Sequence, residues 1–154
     1  MKNIVFILII FFGAISTLKA DVKKWKLEQV GFLNIDRNEK DYGGFSGLLI
    51  KNAGTEALVV TDKSFFFVLE LRRDDNEILT GYSVIKKGRI LSSKGEHLNG
   101  RNTDSESIAM DANNNYYISF ESNHRIMMHT EVEGKGIFVP KHPMFRKLSV
   151  NKGI

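Results

Sequence analysis

The chain has 154 residues, 22 of them Lys or Arg against 18 Asp or Glu, and no cysteine. That length suits one ordinary domain or part of a larger β architecture. Without cysteine there is no disulfide framework, thiolate metal site or cysteine nucleophile. The basic residues are scattered among acids without the aromatic interleaving of a nucleic-acid groove, so no nucleic-acid partner is expected.

Residues 1–20, MKNIVFILIIFFGAISTLKA, carry Lys2, an apolar run from Ile4 to Ile15 and a polar end at Leu18-Lys19-Ala20. This is the charged region, apolar region and small-residue cut of a secretory leader. The apolar run is shorter than the ~20 residues that cross a bilayer. A cleaved signal peptide is therefore expected, leaving residues 21–154 periplasmic or secreted with no stable membrane span. Removing Lys2 and Lys19 from the 22 bases leaves 20 against 18 acids, a nearly balanced surface.

Beyond the leader, short apolar runs rich in Val, Ile, Phe and Tyr alternate with Gly, Asn and Asp clusters, and almost no helical period is present. Strands are predicted at Leu27–Ile35, Phe45–Lys51, Ala57–Thr61, Phe65–Leu71, Leu79–Lys86, Ser107–Asp111, Tyr116–Phe120, Arg125–His129 and Gly136–Pro140. Turn clusters such as Asn52-Ala53-Gly54, Arg73-Asp74-Asp75-Asn76 and Ala112-Asn113-Asn114-Asn115 punctuate them. Sequential hairpins of this kind make an all-β antiparallel meander.

The segment from Phe45 repeats in the segment from Ser105: a polar pair, a strand, an Asn-bearing turn, a second strand, an acid, a short loop and a third strand. Ser46 falls on Glu106 and Asp62 on Glu121. The copies start 60 residues apart, longer than a usual propeller blade of ~40–50 residues, which an insertion around Lys86–Arg101 would explain.

Gly43-Gly44-Phe45-Ser46-Gly47-Leu48, Val60-Thr61-Asp62-Lys63, Asp104-Ser105-Glu106-Ser107-Ile108-Ala109 and Phe120-Glu121-Ser122-Asn123-His124-Arg125-Ile126 together resemble the phytase-like domain family, described by the esterase-like activity of phytase. The resemblance implies an exported β-propeller with acids recurring near strand ends. Ser107 stands where members commonly carry Gly, and Lys63-Ser64 where an Arg-Gly pair is common. A propeller closes with ~4–8 blades, and residues 21–154 supply about three at most, so they are expected to form the first blades of a C-terminally truncated ring.

In such a ring the repeated positions converge, and Glu106, Glu121 and Asp62 would meet at one mouth. Converging carboxylates raise one another's pKa or hold a hard cation. No cofactor is required by the sequence; Ca²⁺ is the one such a cluster admits. His124 offers a proton carrier and Arg125 an anion clamp, with Ser46 a further substrate-binding candidate. The competing explanations are acids capping turns, a solvated histidine, and an Arg125–Glu121 ion pair. Phe45-Ser46-Gly47 lacks the Gly-x-Ser-x-Gly elbow of serine hydrolases. The expected activity is hydrolysis of a small phosphate or ester substrate by strand-end acids; the alternative is a non-catalytic propeller that binds a ligand or protein partner. Pairing of the two hairpin strands across Ala112–Asn115 should bring Glu106 and Glu121 within about 10 Å at their Cα atoms, two strand spacings.

Overall fold

The computed structural model describes residues 26–29, 31–35 and 41–144; the expected leader at 1–20 and the terminal KLSVNKGI lie outside them. No helix among the described residues is long and apolar enough to cross a membrane. Eight strands form two antiparallel four-stranded meanders. The first sheet contains β1 (Phe45–Lys51), β2 (Glu56–Thr61), β3 (Phe65–Arg73) and β4 (Leu79–Arg89); the second contains β5 (Ser105–Met110), β6 (Tyr116–Phe120), β7 (Arg125–His129) and β8 (Ile137–Phe138).

The repeat read from the sequence is a repeat of structure. In both sheets the first hairpin slips register at one residue, between Phe45 and Gly47 in β1 and between Ser105 and Ser107 in β5. Ser46 and Glu106 are therefore the same β-bulge in two copies, each turned out of the strand's two-residue alternation. Ser46 to Asp62 is 16 residues and Glu106 to Glu121 is 15, because the second copy has one ladder pair fewer and one turn residue more. Past the bulge the first copy runs from Gly47↔Val60 to Lys51↔Glu56, and the second only from Ser107↔Ser119 to Met110↔Tyr116 before a longer turn.

Among the described residues of the predicted strand Leu27–Ile35 no strand forms. Its described residues have no strand pairing, and Leu27 is 97% exposed and Phe32 76%. Alternation alone made no strand there, because a strand needs a partner ladder and a face to bury. The last predicted strand shortens to Ile137–Phe138, while β4 extends past Lys86 to Arg89 and β5 starts at Ser105 rather than Ser107. Between β4 and β5 the chain drops Ile90 into the core, makes one bridge, Leu91↔His97, and a 3-10 turn at Gly100–Asn102.

The core lies between the sheets. Leu58, Val60 and Phe66 of the first sheet meet Ile108, Ile118, Phe120 and Met127 of the second, with Ile90 and Val132 closing the margins. Gly47 lets the sheets approach there: a Cβ would sit 2.9 Å from the Ile108 nitrogen and the Ser107 Cα. A second apolar cluster, Ala57, Val59, Phe67 and Leu69, lies on the other face of the first sheet. Tyr42 covers part of it, its ring edge-on to Phe67 at 4.8 Å between centroids. Aromatic edge contacts of this kind add to the burial of the rings.

His129 is fully buried at the end of β7, its Nδ1 3.0 Å from the Gly134 carbonyl. Its Nε2 has no hydrogen-bond partner among the described residues, and burial lowers its pKa below 6.5 despite the Gly134 bond. Because the folded pKa lies below the unfolded one, His129 contributes stability that is complete above about pH 6.5 and is lost as the pH falls. The expected result is a Tm that declines below that pH, and declines less in His129→Gln. Identical Tm–pH curves for the two proteins would refute the assignment.

Candidate active site

Both sheets close their first hairpin with the same backbone clamp. The Asp62 N–H donates to the Gly44 carbonyl at 2.9 Å, and the Glu121 N–H donates to the Asp104 carbonyl at 2.8 Å. The residue leaving the second strand is thus tied to the one entering the first. In the first sheet that entering residue is Gly44, whose φ of +66 is a left-handed conformation that favours glycine. In the second sheet the same place holds Asp104, so a single acid in the first copy becomes a pair in the second.

Glu106 joins that pair through its bulge. One carboxylate oxygen from each of Asp104, Glu106 and Glu121 lies within 4.8 Å of the others, and all three residues are half-buried. Desolvation raises the pKa of Glu106 above 4.5, and the charges of Asp104, Glu121 and Asp62 raise it further. Asp62, exposed on the first sheet, therefore acts on Glu106 across the junction between sheets. The Ser122 hydroxyl donates to Asp104 Oδ2 at 2.6 Å and fixes one edge of the cluster.

His124 and Arg125 follow at the β6–β7 connection and are both buried. The Arg125 guanidinium lies 3.8 Å from the centroid of the Phe120 ring and donates to the carbonyls of Asn123 and Asn102. Burial brings its pKa down to about 10, still well above neutrality, so it keeps its charge. Its donors hold loop carbonyls beneath the acids. Ser46 gives its hydroxyl to the Ser105 carbonyl at 2.5 Å. Asp111 caps its own turn: Oδ1 accepts the N–H groups of Asn113 and Asn115, both at 2.9 Å.

Glu106, Glu121 and Asp62 are thus brought to one end of the paired sheets, as their repeat positions imply. Asp104 was missed as a site residue. Its signal was its place, two residues before the bulge glutamate and aligned with Gly44. A cleft of about 580 Å³ lies at the opposite end between the sheets. There Lys51 donates to the Tyr116 hydroxyl at 2.8 Å and pairs with Glu56 at 3.3 Å, while Lys86 and Glu133 join across its rim. There Lys51 with Glu56 and Lys86 with Glu133 set opposite charges together, whereas the acid cluster gathers charges of one sign.

Three close carboxylate oxygens fit the all-oxygen ligand preference of a hard divalent cation such as Ca²⁺. With no cation, such a cluster retains a proton to higher pH than isolated acids do. A family model described as phytase-like, esterase-like activity of phytase, matches residues 40–153. No curated protein and no solved structure matches the chain.

Proposed function

The chain belongs to the phytase-like family, and from that premise we propose that it is an exported hydrolase of small phosphate or ester substrates, each four-stranded sheet being one blade of a β-propeller. The observation that carries the reading is the meeting of Asp104, Glu106 and Glu121 within 4.8 Å, with one member, Glu106, biased toward its protonated form. General acid–base hydrolysis needs a protonated acid and an ionised base side by side. Glu106 gives its proton to the leaving oxygen. Glu121 accepts the proton of the attacking water, and desolvation together with the charges of Asp104, Glu121 and Asp62 favours the proton on Glu106. A Ca²⁺ ion held by Asp104, Glu106 and Glu121 would need all three ionised, and it would then polarise the phosphoryl or acyl oxygen in place of the Glu106 proton. His124 is a second proton carrier beside Glu121. Arg125 and Ser46 support the frame on which the acids stand.

The test is turnover by the purified chain on a phosphomonoester and a short acyl ester, each with Ca²⁺ and with chelator. Hydrolysis of one class with a bell-shaped pH profile is expected. Absence of turnover on both, in both conditions, would leave the binding-module alternative.

A further inference from the structure

Behind the acids, three serine hydroxyls cross between the sheets. Ser46 of β1 donates to the Ser105 carbonyl, and Ser105 in turn donates to the Thr61 carbonyl of β2, both at 2.5 Å. Ser64, in the turn between β2 and β3, donates to the Thr103 carbonyl just before β5. Ser105 is fully buried and Ser64 nearly so. Ser64 has φ +57, a left-handed conformation in which serine is uncommon. Its inter-sheet bond is a reason for serine to stand where glycine would be unstrained.

These bonds fall in a pattern. Asp104 lies between the two residues Thr103 and Ser105 whose carbonyls accept from the first sheet. Glu106 follows Ser105, and Asp62 follows Thr61, the carbonyl that Ser105 grips. Glu121 is tied in turn to Asp104 by its backbone N–H. Each acid is therefore one peptide from a clasped carbonyl or bonded to a residue that is. Apolar contacts between sheets are non-directional and tolerate sliding; hydrogen bonds to fixed carbonyls do not.

We propose that Ser46, Ser64 and Ser105 form a hydroxyl clasp that sets the stagger of the two sheets and thereby places Asp62 of one against the acid cluster of the other. They are positioning residues and touch no substrate. Their loss leaves each sheet paired and its own acids in place while uncoupling the acids of different sheets.

The decisive readout is the relative orientation of the two sheets, measured from backbone N–H residual dipolar couplings of the full chain. In the native protein one alignment frame should fit both sheets. In Ser105→Ala each sheet should still fit a frame of its own but no common one, and Ser105→Thr, which keeps the hydroxyl, should restore the common frame. A serine that matters only for stability would lower Tm and leave the common frame intact, which overturns the proposal. If Ser105→Ala does not fold, the Ser46→Ala/Ser64→Ala double variant decides by the same comparison. The inference rests on the acid cluster being the site of the proposed hydrolase, but its readout is independent of turnover. A chain inactive on every ester whose Ser105→Ala variant still loses the common frame would refute the hydrolase and leave the clasp standing.

Discussion

Glu106→Gln is expected to reduce hydrolysis by about 10²- to 10⁴-fold, the usual worth of a positioned general acid or base, while making the protein more stable at neutral pH. The two effects have one origin. Desolvation and the charges of Asp104, Glu121 and Asp62 raise the pKa of Glu106 in the folded state, so the folded protein binds this proton more tightly than the unfolded chain. Stability from this group is then greatest in acid and declines as the pH rises from about 4.5 through the folded value. Gln has nothing to ionise and escapes that decline. The variant should show a higher Tm than the native protein at pH 7, with the gain fading below pH 4.5. Assays on the same ester and thermal melts across pH check both halves. A variant with native turnover would remove Glu106 from the mechanism. Glu121→Gln should lose turnover as well, while altered ligand affinity without any turnover to lose would mark a binding module.

The second large effect is Phe66→Ala, expected to cost about 3–5 kcal/mol out of the ~5–15 kcal/mol that holds a typical domain folded. Phe66 is 1% exposed in the core shared by the sheets. Its ring occupies the space a side chain at position 88 would need: a Cβ on Gly88 would lie 2.7 Å from it. Truncation would leave a cavity that neither sheet can fill without breaking its ladder. Urea unfolding should show a lower midpoint at unchanged slope. Phe138→Ala is the control, since Phe138 is 56% exposed and its loss should stay within about 0.5 kcal/mol. Equal costs for the two would contradict the placement of the core.

Much of this arrangement was legible before any coordinates. The alternation of Phe45–Lys51 and Arg125–His129 reflects local physics, and those strands appear with the predicted bounds, while the Asn-rich turn between β5 and β6 takes in Asp111 as well. The alignment of Ser46 with Glu106 and Asp62 with Glu121 was also legible, because a repeated backbone repeats its spacing. The bulge was not, since a register slip depends on the partner strand. Hence Glu106 looked like a residue just outside the ladder when it sits within β5. Leu27–Ile35 failed for a related reason: its pattern suits a strand, but it gains no ladder. Arg125 reads as an anion clamp from its neighbours Glu121 and His124. What settles its surroundings is the Phe120 ring and two loop carbonyls, and the Asn102 carbonyl lies 23 residues away.

The shared bulge has a consequence for how the two copies diverge. An ordinary strand position belongs to the inner or the outer face, so exchanging serine for glutamate there disturbs either packing or solubility. The extra residue of a bulge belongs to neither face, and it stands in the sheet like a socket whose fitting can be changed without rebuilding the wall. The first copy fits a hydroxyl that fastens the neighbouring sheet, and the second fits a carboxylate that faces other acids. Exchanging the residue at this one position exchanges a fastener for a carboxylate, and the shared backbone needs no new fold to present it.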